Sequence, residues 1–384
     1  MKYDVIVIGL GAMGSASLYQ LAKSGTKVLG IDMFTPPHIY GSSHGETRIT
    51  RQAIAEGKEY VPLVLRANEI WHELENLSGE SLYTRTGILI MASNTADRPN
   101  KFVDNTIVAA SEYGIEHEVL SAATIAQRFP QFKTQGDEKG YFEPGAGYLQ
   151  PEKCIDVQLG LAAESGAEIH DGERFISYSR DGDTILVTTD KAEYTTSSLV
   201  LTMGPWVNEI LPAKYRDTVK IYRQVLYWFE IDDPEDYTSE VFPVFNWEFN
   251  TAHEDFMYGF PSLDGKTIKV ATEQYDETTS PGKARREVTQ QEKEAMYEQY
   301  VKPHLSGVSA QCVKAESCLY SVAPDWRFLI DRHPDDDQVI VASPCSGHGF
   351  KHSAAIGEVI ADMVLGRETK VDIAAFGFDR VGVA

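Results

Sequence analysis

The feature that most narrows what this chain can fold into lies between its start and Asp32. Val5-Ile6-Val7-Ile8 is a short β-branched run, Gly9-Leu10-Gly11-Ala12-Met13-Gly14 follows at once, and a helical pattern then passes through Leu18, Leu21 and Ala22. Gly25 stops that helix, Val28-Leu29-Gly30-Ile31 forms a second strand, and Asp32 stands at its carboxyl end. Strand, GxGxxG turn, helix, strand and terminal acid make a βαβ unit with the dinucleotide fingerprint. Gly9 permits the tight turn, Gly11 lets the backbone approach a pyrophosphate, and Gly14 lets the helix pack closely on the strand. The helix N-terminus offers unpaired N–H groups to phosphates, and Asp32 can accept hydrogen bonds from a ribose. A bare glycine-rich turn is the alternative, and the flanking elements weigh against it.

The rest of the chain predicts an α/β protein of two domains. After Pro36-Pro37 comes Gly41-Ser42-Ser43-His44-Gly45-Glu46-Thr47-Arg48 and then Arg51; Arg48 and Arg51 share a face if their segment is helical. Pro62 opens a helix with apolar residues at 60, 63, 64, 67, 70, 71 and 74. Cys154 to Glu164 reads as a helix stopped near Gly166, Phe175 to Thr189 as two strands joined at Arg180-Asp181-Gly182-Asp183, and Ser198 to Thr202 as a buried strand running into Met203-Gly204-Pro205-Trp206. Residues 218–320 are rich in aromatic, alternating segments such as Gln224 to Glu230, which favours a mixed or antiparallel sheet. Val339 to Ala342 is a last strand, and Ser346-Gly347-His348-Gly349-Phe350-Lys351 leads into a helix through Ile356 and Met363. The expectation is a discontinuous Rossmann-type nucleotide domain (1–84, 146–217 and 322–384) with an inserted substrate domain (85–145 and 218–321). A simple NAD dehydrogenase completes its nucleotide half in one block, so this late glycine-rich return favours FAD.

Composition limits the partners. The chain of 384 residues carries 57 Asp plus Glu against 35 Lys plus Arg, a net charge of −22, with 42% hydrophobic residues. That is a globular composition, and its acidity argues against nucleic acid or an anionic membrane as partner. A small carboxylate could still bind where a few basic residues are gathered against the general field. Cys154, Cys312, Cys318 and Cys345 form neither a disulfide framework nor a CxxC pair, and no metal is expected. No apolar run reaches the length of a membrane span, no signal peptide is read at the start, and the tail Val381 to Ala384 matches no peroxisomal or lipidation signal. A cytoplasmic location is the expectation.

Seven stretches, GLGAMG, GSSHGETRITR, YVPLVLRANEIWHELE, TMGPWV, YGFPS, CLYSVAPDWRFLIDRHP and SGHGFKHS, stand in this order between residues 9 and 353. Together they resemble the monomeric sarcosine oxidase and N-methyltryptophan oxidase family of flavoproteins, with likeness extending from residue 3 to about 366. The resemblance implies FAD attached through a cysteine thioether at the flavin 8α position, and it selects Cys318, where the residues alone leave Cys312 and Cys345 equal candidates. It also implies FAD contacts at Gly9, Gly11, Gly14, Asp32, Ser42, Gly347, Gly349 and Lys351. Arg48 resembles the basic residue close to the flavin. Arg51 and Lys351 resemble the partners of the substrate carboxylate, a bidentate fork and a point charge. Gly347 resembles the residue whose carbonyl accepts from the substrate amine, and Tyr258 and Tyr320 resemble its aromatic and hydroxyl wall. Lys269, otherwise an outward strand residue, resembles a lysine over the flavin face that promotes reaction with oxygen by stabilising developing negative charge.

Two departures bear on the substrate. Glu273 stands where the family commonly has a histidine, and the usual RHAYGEG becomes Arg51-Gln52-Ala53-Ile54-Ala55-Glu56-Gly57. A carboxylate there disfavours small anionic substrates or recruits a cationic group, which puts sarcosine itself in doubt. The resemblance thus implies a monomeric flavin-dependent oxidase of a secondary amine, an N-methyl or N-alkyl amino acid, giving an imine and hydrogen peroxide. The alternatives are a flavin dehydrogenase with a non-oxygen acceptor, an oxidase of cyclic imino or glycated amino acids, a NAD-dependent dehydrogenase and a non-enzymatic flavoprotein. No side chain stands out as an obligatory general base.

Overall fold

The computed structural model describes residues 2–93, 102–212, 214–216, 218–249 and 256–380; the tail read for targeting signals lies outside them. The N-terminal unit forms as its sequence dictates: β1 (Lys2–Ile8), α1 (Ala12–Lys23) and β2 (Val28–Ile31), with the two strands parallel and Val5 opposite Val28. Gly9 has φ +86°, and a Cβ there would meet the Thr202 carbonyl oxygen at 2.6 Å. A Cβ on Gly14 would fall 1.7 Å from the Gly9 oxygen and 2.8 Å from Thr202 Oγ1, so only glycine lets α1 start this close to the sheet.

Among the described residues β1 sits inside an eight-stranded sheet. Its other neighbour is Glu193–Leu201, parallel, and Asp336–Ser343 lies parallel beyond that. Segments more than 300 residues apart are therefore layered together. Their strands are apolar on both faces because α1, Pro151–Glu164 and Ser353–Val364 cover one side while a second apolar cluster fills the other. The C-terminal helix packs so tightly on α1 that a Cβ on Gly357 would lie 2.5 Å from Ala16. The helix Val61–Ser78 buries every apolar position its spacing predicts from 63 to 74, and its Arg66 forks onto Glu358 of the C-terminal helix with two bonds of 2.8 Å.

A nine-stranded sheet carries the alternating aromatic segments. It runs from Thr278–Thr279 through Lys220–Ile231, Thr267–Thr272, Phe256–Gly259, Val244–Glu248, Ile88–Ser93 and Glu138–Glu143 to Glu118–Ser121, with Val308–Val322 also paired to Lys220–Ile231. All of its pairings are antiparallel except that of Val244–Glu248 with Ile88–Ser93. The expected mixed sheet is thus present. A small third sheet joins Arg48–Thr50, Gly147–Leu149 and Tyr83–Arg85. This corrects one premise: Arg48 begins a strand, so the helical spacing that would put Arg48 and Arg51 on one face does not apply. Among the described residues no helix is long and apolar enough to cross a membrane.

Candidate active site

Between the two large sheets opens a cavity of about 860 Å³. At one end lie Gly9 and Gly11, with Asp32 at the end of β2. The Asp32 carboxylate accepts from Leu10 N at 2.7 Å and from Phe34 N at 2.8 Å, which fixes it across the mouth of the glycine turn. Burial raises its pKa, and these two bonds and His38 oppose that rise. A Cβ on Gly11 would meet nothing nearer than Ser43 Oγ at 3.8 Å, so the backbone there is open to a ligand. Gly14 does not line the cavity and acts through packing alone. A turn bare of side chains, a helix N-terminus and an anchored acid are what a dinucleotide requires, so these residues fit FAD.

The middle of the cavity is walled by the 41–48 loop and by Ser343 to Gly349. Ser42 Oγ donates to the Leu319 carbonyl and Leu319 N donates to Gly41 O at 3.4 Å, which stitches the loop to the strand Val308–Val322. Arg48 donates to Ser42 O and Thr47 O, each at 2.8 Å, and so lies along the wall. Glu152 accepts from Gly45 N at 2.6 Å and from Glu46 N at 3.1 Å and holds the loop from behind. Cys318 is buried next to this wall but does not line the cavity, whereas Cys345 does. Burial pushes the Cys318 thiol up to about 11, with Arg48 opposing.

Lys269 is also displaced from the large cavity. Its ammonium donates to Gly45 O at 2.8 Å and to Thr47 O at 2.7 Å, and it lines a smaller cavity of about 240 Å³ that shares Thr47 with the larger one. Burial, reinforced by the Arg48 charge, holds it well below the ordinary lysine value.

Charge is concentrated in another part of the lining. Arg51 forks onto both Glu56 oxygens at 2.7 and 2.8 Å and also donates to Ala53 O. Burial works to raise the Glu56 pKa, but Arg51, His348 and Lys351 outweigh it and keep the carboxyl well below its usual range. Glu143 secures the same turn by accepting from Gln52 N at 2.7 Å, Ala53 N at 3.2 Å and Tyr141 Oη at 2.8 Å. Lys351 donates to His348 O at 2.6 Å, and burial drives its pKa down to about 7. His348 is likewise lowered by burial, to about 4.

Tyr258 and Tyr320 face each other with their oxygens 3.5 Å apart, and burial raises both phenols. Gly347 has φ +81°, and a Cβ there would sit 3.2 Å from Tyr275 Oη, 3.3 Å from the Tyr320 ring and 3.4 Å from Glu273 Oε1. Glu273 Oε2 accepts from Tyr275 Oη at 2.9 Å. Burial raises Glu273 to about 7, against the bond from Tyr275.

One cavity therefore gathers Gly9, Gly11, Asp32, Ser42, Arg48 and Arg51 with Tyr258, Glu273, Tyr320, Gly347, Gly349 and Lys351; Gly14, Cys318 and Lys269 stand outside its lining. Sequence reasoning missed Glu56, Tyr275 and the pair Asn246 and Glu248, which all line it as well. Tyr275 is two residues from Glu273, and Asn246 and Glu248 are two apart on one strand, so a period of two could have flagged them. Glu56 could have been flagged because it keeps the acid of the RHAYGEG pattern five residues after Arg51.

Comparison with known proteins places these features in context. The model of the family described as FAD dependent oxidoreductase matches residues 4–363. The chain is 35% identical to a monomeric sarcosine oxidase of Bacillus sp. (strain NS-129), over 98% of this chain and 97% of the relative. It is 34% identical to an N-methyl-L-tryptophan oxidase of Yersinia pestis (strain Pestoides F), over 99% of this chain and all of the relative. Among solved structures, the open form of NikD, described as an unusual amino acid oxidase, superposes with a TM-score of 0.86 at 22% identity, covering 98% of this chain and 97% of the other. At that identity the likeness speaks for the fold.

Proposed function

From the premise that this chain belongs to the FAD-dependent oxidoreductase family, we propose that it oxidises an N-methyl or N-alkyl amino acid at the carbon beside nitrogen. It is a flavin-dependent amine oxidase with oxygen as acceptor. The observation that carries the substrate reading is that a fingerprint cradle for FAD and two buried basic side chains, Arg51 and Lys351, line one cavity.

When bound, FAD supplies a two-electron acceptor for a hydride equivalent, and oxygen takes both electrons away as hydrogen peroxide. The chain's own residues supply position. Arg51 is held rigid by Glu56 and Ala53 O, and Lys351 by His348 O, so the two present fixed cations to a carboxylate. The Gly347 carbonyl accepts from the substrate amine, and the Tyr258 and Tyr320 walls exclude water from the reacting carbon. Neither tyrosine serves as a base at neutral pH, since burial raises both. Water then hydrolyses the imine to an aldehyde and an amine.

The covalent link is assigned to Cys318 within the same reading, supported by its place beside the wall tied to Ser42. Cys345, which lines the cavity, is the competing thiol. Acid-precipitated protein is expected to stay yellow, Cys318→Ala to give a colourless pellet and Cys345→Ala a yellow one; the reverse pattern moves the link to Cys345. An oxygen role for Lys269 belongs to the same reading, supported by its buried ammonium beside the Gly45–Thr47 turn that borders the large cavity. The reading carries with it a discontinuous FAD domain (1–84, 146–217 and 322–384), a substrate domain (85–145 and 218–321), and a cytoplasmic monomer with a small amine and oxygen as its partners. A peroxide-coupled screen of N-methyl amino acids, cyclic imino acids and glycated amino acids tests the substrate class. Turnover confined to the last two groups overturns it.

A further inference from the structure

Along the nine-stranded sheet the side chains that face the cavity form rows. Asn246 and Glu248 lie two residues apart on Val244–Glu248 and project to one side, while Phe245 and Trp247 turn away into an apolar cluster. Asn246 pairs with Tyr258, and Tyr258 with Ala271. Glu248 pairs with Phe256, and Glu273, two residues beyond Ala271, extends that second row. Asn246, Tyr258, Glu248, Phe256 and Glu273 all line the cavity. The row that contains Tyr258 is the wall assigned to the reacting carbon. The Glu248–Phe256–Glu273 row lies about 7 Å further along the strands, two residues at the usual rise, with its two acids on either side of the Phe256 ring.

Two independent features point to a positively charged occupant of this second row. The first is an unpaired amide. Asn246 is 8% exposed, and its side chain makes no hydrogen bond among the described residues. An amide this buried is ordinarily paired, so one that lines the cavity calls for a partner from a ligand. The second is the charge that surrounds it. Arg51 is already forked onto both Glu56 oxygens, and Arg48 donates to the Ser42 and Thr47 carbonyls. Lys351 is the cation felt by Glu273, and the proposed reaction directs it at the substrate carboxylate. Burial, with the charges of Glu56 and Glu248 added to it, works against ionising Glu273, so a cation between the two acids of the row relieves both.

We infer that Glu248, Phe256 and Glu273 form a subsite for a cationic side chain of the substrate, an ammonium or guanidinium seated over the Phe256 ring between two carboxylates, with the Asn246 amide accepting from it. The substrate class is then a basic N-alkyl amino acid, and the inference rests on the oxidase reading above. An aromatic face attracts a cation, and the flanking acids supply the pairing that a buried charge requires. The Tyr275 hydroxyl, bonded to Glu273 Oε2 at 2.9 Å, fixes one carboxylate of the pair. Charge also balances. With Arg51 and Glu56 cancelling, ionised Lys351, Glu248 and Glu273 sum to −1, which one extra positive charge on an otherwise zwitterionic amino acid neutralises. A neutral side chain leaves that excess buried and unanswered. The two rows are separated by a distance that a chain of three or four methylenes covers, the length found in ornithine and lysine.

The test is anaerobic rapid mixing of holoenzyme with Nα-methyl-L-lysine, Nα-methyl-L-ornithine and the neutral Nα-methyl-6-hydroxy-L-norleucine, which matches the lysine compound in reach. Loss of visible flavin absorbance gives, for each, the limiting rate divided by the half-saturating concentration. The better of the two basic compounds should exceed the neutral one roughly 10- to 100-fold, the worth of hydrogen bonds to a charged group. Glu248→Gln and Glu273→Gln should each shrink that ratio several-fold, and because the ratio is taken within one protein, a change in flavin content or overall rate does not mimic the effect. A wild-type ratio near one, or a ratio that either substitution leaves unchanged, overturns the inference. If a variant does not fold or hold flavin, the wild-type ratio alone decides. Bleaching by the neutral compound with no preference for the basic ones removes only this inference. Failure of all three, and of N-methyl-L-alanine beside them, to bleach the flavin overturns the oxidase reading and the inference together.

Discussion

The two ends of the cavity are built by different means. The nucleotide end is made of backbone: a turn with φ +86° at Gly9, a helix start that tolerates no Cβ at Gly14, and one acid, Asp32, pinned by two N–H groups. All of it lies within a short stretch of chain, and hard-sphere sterics dictate its shape. The end proposed for the substrate is made of side chains. Arg51, Glu273 and Lys351 come from segments about 80 to 300 residues apart, and their properties depend on burial and on one another. The first end should thus fail by steric insult, and the second should fail by loss of charge and be tuned by pH.

The largest effect is expected from Gly14→Ala. The added methyl meets backbone at 1.7 Å, so α1 must move off the sheet, and flavin per purified chain should fall roughly tenfold or more. Absorbance per chain measures it, and a fully yellow variant would show that the cradle is not steric in origin. A smaller effect is expected from Lys351→Met, which keeps the stem and removes the ammonium. The kcat/KM for an N-methyl amino acid should drop roughly 10- to 100-fold, the worth of a charge-assisted contact, with flavin content little changed. Loss of colour instead would mean that the two ends are not separable.

The smallest effect is a pH drift in substrate affinity. Burial lowers Lys351 to about 7, so its cation is present below that pH and is lost above it. A bound carboxylate favours the charged form; affinity for an amino acid should therefore weaken several-fold from about pH 6.5 to about pH 8.5. Isothermal titration of the holoenzyme with an unreactive carboxylate such as acetate reads this drift, and the Lys351→Met variant should lack it.

The same contrast explains what the sequence disclosed. The βαβ unit, the helix from Val61 and the alternating aromatic strands were legible because each is written in local periodicity. Arg48 and Arg51 were grouped at one site through resemblance and both line the one cavity, while the local geometry at Arg48 was a strand instead of a helix. Glu56 was invisible as the partner of Arg51, because the chain turns after Thr50 and the pair forms only in three dimensions. Glu273 was legible as a departure from the family pattern, but its nearness to Gly347 depends on the strand Thr267–Thr272 and the loop after Ser343 meeting across the cavity. Cys318 was selected by resemblance, and nothing in its spacing distinguishes it from Cys345.

The central claim is that one cavity joins an FAD cradle to a site for an N-alkyl amino acid, with oxygen closing the cycle. It is tested most directly by a stoichiometric turnover of holoenzyme with N-methyl-L-alanine or N-methyl-L-tryptophan. Bound flavin should bleach on adding substrate without oxygen, regain its colour when air is admitted, and yield hydrogen peroxide equal to the substrate consumed. Bleaching that is reversed only by an added quinone, or colour that substrate never discharges, would contradict the account.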